Sequence, residues 1–411
     1  MKTEIINTGT ELLLGQTLNT HLQHIALRLA DIGVCVQRQV TVPDGLAIRE
    51  AMNESLARAE LVLVTGGLGP TSDDVTRDMA ANLLGRKKVF HGSVLEKIRE
   101  RFLRRGLVMP EQVAVQAWAP EGAEILPNDC GTAPGLYLIG REGQHIFLLP
   151  GPPSELNPMF EQSVMPLLRS ILPEPPPEPL FFRLVGVGES LLQEKIEPFI
   201  RSFSPDAEIG YCARPGEVDL RVPVCGDDAR GQIQKKVESL FGDALYATGH
   251  ESMEEVVVRL ATKLGKTVAV AESCTGGLIA NRITNVPGSS AVFLGGAVVY
   301  ANSEKVRQLG VPIEMIEKHG AVSGEVAEAM AHGIAERTGA DVAASSTGVA
   351  GPGSGTAEKP AGLCWLGFCS AIEKKSLRKH LATERESFKY MASQQVLDGL
   401  RRTLLMLGAA K

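Results

Sequence analysis

The chain lacks a basic surplus, a CxxC motif and any apolar run of membrane-spanning length. Its 42 Lys and Arg face 48 Asp and Glu, a formal net charge of −6. No cationic excess is left to neutralise phosphates, which puts a dedicated DNA or RNA binder at a disadvantage. The seven cysteines (35, 130, 212, 225, 274, 364 and 369) are odd in number and scattered. They read as reduced thiols and exclude a disulfide framework or a zinc site. Polar and apolar residues alternate directly from Met1, which predicts no signal peptide. With no membrane span, the expectation is a cytoplasmic protein. No internal repeat and no low-complexity tract is found.

What is present is the composition of a globular chain, 44% hydrophobic and 22% charged over 411 residues. That length suggests two to three domains. Residues 1–172 alternate strand and helix patterns. Leu61 to Val64 is a continuous apolar run of the kind found in a parallel strand covered on both faces. The proline-rich segment 173–179 is a stiff boundary. Residues 180–247 read as strand, helix, two strands around Arg214 to Glu217, and helix, a small α+β unit. Residues 250–411 resume the α/β alternation and end in an amphipathic helix from Glu384 to Leu407. The predicted architecture is two doubly wound α/β domains joined by a small α+β domain.

The stretch from Lys266 to Ala280 carries the chemistry. A β-rich run ends at Glu272, then Ser273, Cys274, Thr275, Gly276 and Gly277 lead into a helical pattern at Leu278. A strand–turn–helix order collects backbone N–H groups and a positive dipole end around Ser273, which suits an oxyanion or a phosphate. The plain alternative is a glycine-rich turn with an incidental serine. A serine nucleophile needs a base in hydrogen-bond reach. His319 and Lys305 are the candidates. Capping by Asn302 or Ser303 would place Lys305 in the first turn of a helix, where the dipole field and burial both lower an amine pKa. In such a dyad, amides from Thr275 to Gly277 would hold the oxyanion. Cys274 is expected to point away and to pack as a small apolar group.

In the first domain, Gly66 to Thr71 leaves a strand with backbone donors for a phosphate, followed by Asp73 and Asp74. A divalent cation bridging carboxylate and pyrophosphate is one reading of the aspartates, and helix N-capping is the other. Glu11, in the turn after the first strand, offers a further carboxylate.

These motifs carry a family resemblance. In the first domain they are Thr8-Gly-Thr-Glu-Leu-Leu-Leu-Gly15, Gly66 to Asp74 and Leu149-Pro-Gly-Pro-Pro-Ser-Glu-Leu156. The middle segment adds Gly188-Glu-Ser190 and Gly216-Glu-Val-Asp-Leu-Arg221. The last domain adds Glu272-Ser-Cys-Thr-Gly-Gly277, Tyr300-x-Asn-x-x-Lys305, Gly320-Ala-Val-Ser323 and Thr347-Gly-Val-Ala-Gly-Pro352. Over essentially its whole length the chain resembles the CinA family. The resemblance implies a molybdopterin-binding-like first domain with metal-dependent ADP-ribose pyrophosphatase activity. A divalent metal (Mg or Co) would fall there on Glu11, Asp73 and Asp74. The segment after Met109 departs from the family pattern, with Val113 where an amide is usual. If that segment lines the site, it loses polar reach and the domain becomes a binder or a dimerisation platform. The middle segment is similar to KH folds, but Gly186-Val-Gly188 lacks a basic-flanked GxxG loop, so it reads as a spacer or interface module. For the last domain the resemblance implies cofactor-free deamidation of nicotinamide mononucleotide by a dyad of Ser273 and Lys305. Tyr300 and Thr347 would position substrate, and the loop with Gly348, Gly351 and Gly353 would take its phosphate. The implied partners are a small nucleotide and a second copy in a homodimer, with no nucleic acid or membrane. A non-enzymatic, competence-related binding protein is the rival expectation.

Overall fold

A computed structural model describes residues 1–172, 178–224, 226–352 and 355–409. Cys225, Gly353 and positions 173–177 of the proline-rich boundary lie outside the described residues. The chain forms two compact units, Met1–Glu178 and Pro179–Lys411, the second holding both the 180–247 and 250–411 segments.

The first unit is built on a sheet ordered Val36–Val42, Thr3–Thr8, Leu61–Thr65, His145–Leu149, Gly135–Ile139 and Glu124–Leu126. The first four strands run parallel and the last two antiparallel. Alternation along the strands explains why Leu61 to Val64 is apolar throughout. Leu61 and Leu63 face Ile25, Leu29 and Phe160 on one side. Val62 and Val64 face Ile48, Met52 and Ala80 on the other. Sequence patterning missed the helix Gly92–Arg104, whose apolar face is narrow: only Val94, Leu95 and Ile98 are buried. Val113 packs into that small cluster.

In the second unit, the middle segment pairs Gly210–Arg214, Glu217–Val222, Leu180–Val185 and Leu245–Thr248 in that order, all antiparallel. The last of these strands was not legible in the sequence. The larger sheet is ordered Phe293–Val298, Val268–Glu272, Val342–Gly348, Leu363–Ser370 and Lys374–His380. Its first three strands are parallel, so Glu272, Val298 and Gly348 all end at one edge of the sheet. Helices cover both faces, Val270 facing Phe388 and Val396 while Ala269 and Ala271 face Val326 and Met330.

The final helix, Arg385–Ala409, is not simply amphipathic. Gln394, Asp398 and Arg401 on it are buried along with its apolar residues. The middle segment covers a second side, where Gln394 Nε2 donates to Glu217 Oε2 (2.8 Å) and Arg401 donates to Asp243 O (2.6 Å). No helix among the described residues is long and apolar enough to cross a membrane.

Candidate active sites

Ser273 follows directly on the strand Val268–Glu272, and the turn that carries it is pinned from several sides. The buried Glu272 carboxylate accepts from the amides of Gly277 (2.9 Å), Ile279 (3.1 Å) and Ala280 (2.8 Å). It thereby satisfies the open N-terminus of the helix Leu278–Thr284 and its dipole. Gly276 (φ 63) and Gly277 (φ 95) occupy the left-handed region that a side chain would strain. Ser273 N donates to Ser346 O (2.9 Å), and the Thr275 and Ser346 hydroxyls meet at 2.7 Å. Two of the amides expected to hold an oxyanion are therefore engaged elsewhere. Gly277 serves Glu272, and Gly276 N donates to Ser273 O (3.2 Å). Thr275, Gly276 and Gly277 shape the turn and do not line the pocket.

Lys305 lies on the helix Asn302–Leu309, whose N-cap is Ala301 with no side-chain cap, in place of the expected Asn302 or Ser303. Its side chain is 1% exposed. Nζ sits 3.2 Å from Ser273 Oγ and donates to Val299 O (2.9 Å) and Tyr300 O (3.2 Å). Among the described residues no carboxylate pairs with it. Burial holds its pKa below the usual lysine range, opposed only weakly by the neighbouring Cys274 thiol. His319, the other candidate base, faces Glu325 at 3.2 Å and does not line the pocket. Cys274 packs in the apolar cluster beneath, and burial pushes its thiol up to about 12, which leaves it a poor nucleophile.

Ser273 and Lys305 open onto a cavity of about 230 Å³ that Tyr300, Thr347 and Gly348 also line. Thr347 Oγ1 donates to Ala321 O (2.8 Å), tying the third strand end to the 320–323 segment. Gly351 takes part only through its carbonyl, which accepts from Arg385 Nη1 (3.0 Å). Sequence reasoning missed Arg385. It lines the cavity and its Nη2 donates to the Tyr300 hydroxyl (3.3 Å). A cation opening a helix stands against the dipole, and that misplacement was the available signal.

In the first unit, Glu11, Asp73 and Asp74 come together around a cavity of about 360 Å³, with Asp44, Glu155 and the loop Gly66 to Pro70. Neither aspartate caps the following helix, whose N-cap is Val75. Asp74 Oδ2 accepts instead from Thr71 N (3.0 Å) and Thr71 Oγ1 (2.5 Å). Buried Arg77 pins the loop from below by donating to Leu68 O (2.7 Å) and Gly69 O (3.1 Å). Val113 does not line this cavity but packs with Val94, Leu95 and Ile98, so the segment's polar reach does not depend on it. The residue of that segment that lines it is Gln116. Gln116 is 2% exposed and its Nε2 donates weakly to Leu68 O (3.4 Å). Its Oε1, like Thr8 Oγ1, is buried without a partner. No Lys, Arg or His lines the cavity among the described residues. Carboxylates and orphaned oxygens are the ligand type a hard cation takes, although among the described residues Glu11, Asp73 and Asp74 do not bring their ligand atoms within 4.8 Å of one another.

The folds and the two sites describe a three-part chain: a molybdopterin-binding-like α/β domain, a KH-like middle and a second α/β domain with a serine–lysine pocket. Family models agree. Residues 4–170 match a model described as "Probable molybdopterin binding domain", 181–247 the "Damage-inducible protein CinA KH domain" and 250–404 the "CinA C-terminal domain". A CinA-like protein of Akkermansia muciniphila is 46% identical over 402 residues, 97% of this chain and 97% of its own. One of Dictyoglomus thermophilum is 42% identical over 419 residues, 99% of this chain and 100% of its own. The chain belongs to the CinA family.

Glu272→Ala strands three amides at a buried helix start, and each unsatisfied group costs about 1–3 kcal/mol. Urea unfolding of the second unit is expected to show a loss of at least that size, with Glu272→Gln, which keeps one acceptor oxygen, losing less.

Proposed function

We propose that the Ser273 pocket is an amidohydrolase site that converts nicotinamide mononucleotide to nicotinate mononucleotide and ammonia. The observation that carries this reading is the environment of Lys305 Nζ, buried between two carbonyls and one hydroxyl with no carboxylate. A neutral amine has two N–H donors and one lone pair. With the donors spent on Val299 O and Tyr300 O, the lone pair faces Ser273 Oγ.

The Ser273 proton passes to Lys305 as Oγ attacks the carboxamide carbon. Collapse breaks the C–N bond, and the Lys305 ammonium returns its proton to the leaving ammonia. Lys305 then takes a proton from water, whose oxygen attacks the ester. The ester C–O bond breaks, freeing nicotinate mononucleotide, and the proton returns to Ser273. The developing oxyanion needs donors other than the Gly276 and Gly277 amides. The amides of Cys274 and Val322, both in residues lining the cavity, make no hydrogen bond to a protein acceptor among the described residues. Arg385 supplies the cation for the substrate's phosphate.

Ser273→Ala and Lys305→Ala are each expected to lower ammonia release by at least about 10³-fold, as loss of a nucleophile or its base does, while circular dichroism stays native. The neutral amine is the working form, so kcat/KM rises as pH rises through the Lys305 titration. Because burial lowers that pKa, the rise falls at lower pH than a solvated lysine gives. Substantial ammonia release by Ser273→Ala sinks the assignment.

For the first unit we infer metal-dependent cleavage of the ADP-ribose diphosphate. What favours it is a carboxylate-rich wall without Lys, Arg or His among the described residues, together with two buried oxygens that have no partner. Glu11, Asp73 and Asp74 would hold a divalent cation, which supplies the positive charge that a diphosphate requires and this wall lacks. The loop above Arg77 positions the ligand. Incubating the full chain with ADP-ribose and Mg²⁺ or Co²⁺ is expected to yield AMP. Chelation by EDTA should abolish that product and leave ammonia release untouched, and Glu11→Gln should weaken metal dependence roughly 10–100-fold. Absence of AMP with either metal removes this second reading.

A further inference from the structure

Away from both cavities, a buried polar chain crosses from the middle segment to the helix that follows Ser273. It begins at Glu217, at the tip of the hairpin formed by Gly210–Arg214 and Glu217–Val222. Glu217 Oε2 accepts from the Tyr246 hydroxyl (2.6 Å) and from Gln394 Nε2 (2.8 Å), and Oε1 lies 3.3 Å from Arg214 Nε. Gln394 Oε1 in turn accepts from Arg282 Nη2 (2.6 Å). Arg282 also donates to Ser393 Oγ (2.8 Å) and Glu254 Oε2 (2.7 Å), and its guanidinium sits 4.7 Å over the Tyr390 ring. Glu217, Gln394 and Arg282 are all buried.

Such a chain is a poor way to gain stability, because a well-packed apolar cluster would do as well without the desolvation cost. It is a good way to fix a position. The Gln394 carboxamide can sit only one way round, since reversing it would set its N–H₂ against the Arg282 guanidinium and its oxygen against the Glu217 carboxylate. Its length then sets the separation of hairpin and helix. What it fixes are the two elements that bracket the Ser273 pocket. Arg282 lies on the seven-residue helix Leu278–Thr284, whose opening amides bind Glu272, the residue before Ser273. Gln394 lies on the helix that opens with Arg385 at the cavity mouth. The hairpin tip touches the same helix: a Cβ on Gly216 would lie 3.8 Å from the Gln394 and Met391 Cγ atoms.

We propose that Glu217, Gln394 and Arg282 are positioning residues for the Ser273 pocket, and that the middle segment holds the Ser273 turn and the Arg385 helix start in register. The activity arm of this proposal rests on the deamidase reading, whereas the structural arm does not.

The test uses the full chain carrying Gln394→Met, which keeps side-chain length and removes both links. Glu217→Gln, which keeps the shape but replaces the charge and one acceptor oxygen by an N–H₂ donor, serves as the second variant should the first fail to fold. Hydrogen exchange over residues 273–284 is expected to quicken on the order of tenfold, while the helix Glu189–Phe203, whose buried face packs into the middle segment's own core, exchanges as in wild type. With nicotinamide mononucleotide, kcat/KM is expected to fall on the order of tenfold, the scale of a small displacement of reacting groups. A general loss of structure would quicken exchange everywhere. Unchanged exchange at 273–284 overturns the proposal, and so does unchanged kcat/KM in a protein whose wild type turns over. If the wild type releases no ammonia, the deamidase reading falls alone, and exchange still decides the positioning claim.

Discussion

An amine buried without a carboxylate is the constraint around which the second unit is arranged. A charged Lys305 would cost several kcal/mol to bury, on the order found for an isolated ion inside a protein. Burial lowers its pKa, and two carbonyls accept hydrogen bonds from its amine. Both carbonyls belong to the segment between the strand Phe293–Val298 and the helix Asn302–Leu309, so lysine and acceptors travel together. The serine arrives from the neighbouring parallel strand, and the parallel register sets the two strand ends side by side.

Buried polar residues recur wherever this chain has to fix one loop against another. Glu272 closes the helix start beside Ser273, Arg77 braces the phosphate-type loop in the first unit, and Gln394 bridges hairpin and helix in the second. Each is almost wholly satisfied, which is the condition under which a polar core specifies a geometry instead of weakening it. Of the seven buried side-chain atoms without a partner among the described residues, two, Gln116 Oε1 and Thr8 Oγ1, belong to residues lining the first unit's cavity. Unsatisfied oxygens are tolerated where a ligand supplies the missing partner. Close packing points the same way. A Cβ on Gly66 would fall 2.5 Å from Thr8 Oγ1, so the loop can approach the first strand only with glycine there.

How much was legible follows from which signals are local. Continuous apolar runs such as Leu61 to Val64 and Val268 to Ala271 announced strands covered on both faces, because every residue along such strands is selected. The small sets of glycines and acids after those strands announced the two sites. The helix Gly92–Arg104 escaped, since only a few residues on one narrow stripe are buried. Val113 misled, because a change of residue type says nothing of which way the side chain points. Three positions later, Gln116 was the one that reached the cavity.

The sequence alone determined the three-part α/β organisation, the CinA kinship and most of the candidate site residues, because these depend on spacing and residue type within short windows. Only the tertiary structure decided what those residues face. It assigned the turn amides to Glu272 and the carbonyls of Val299 and Tyr300 to Lys305, and it brought Arg385 to the cavity mouth and joined the middle segment to the last through Gln394. Hydrogen-bond partners and desolvation arise between residues far apart in the chain, where no local pattern records them.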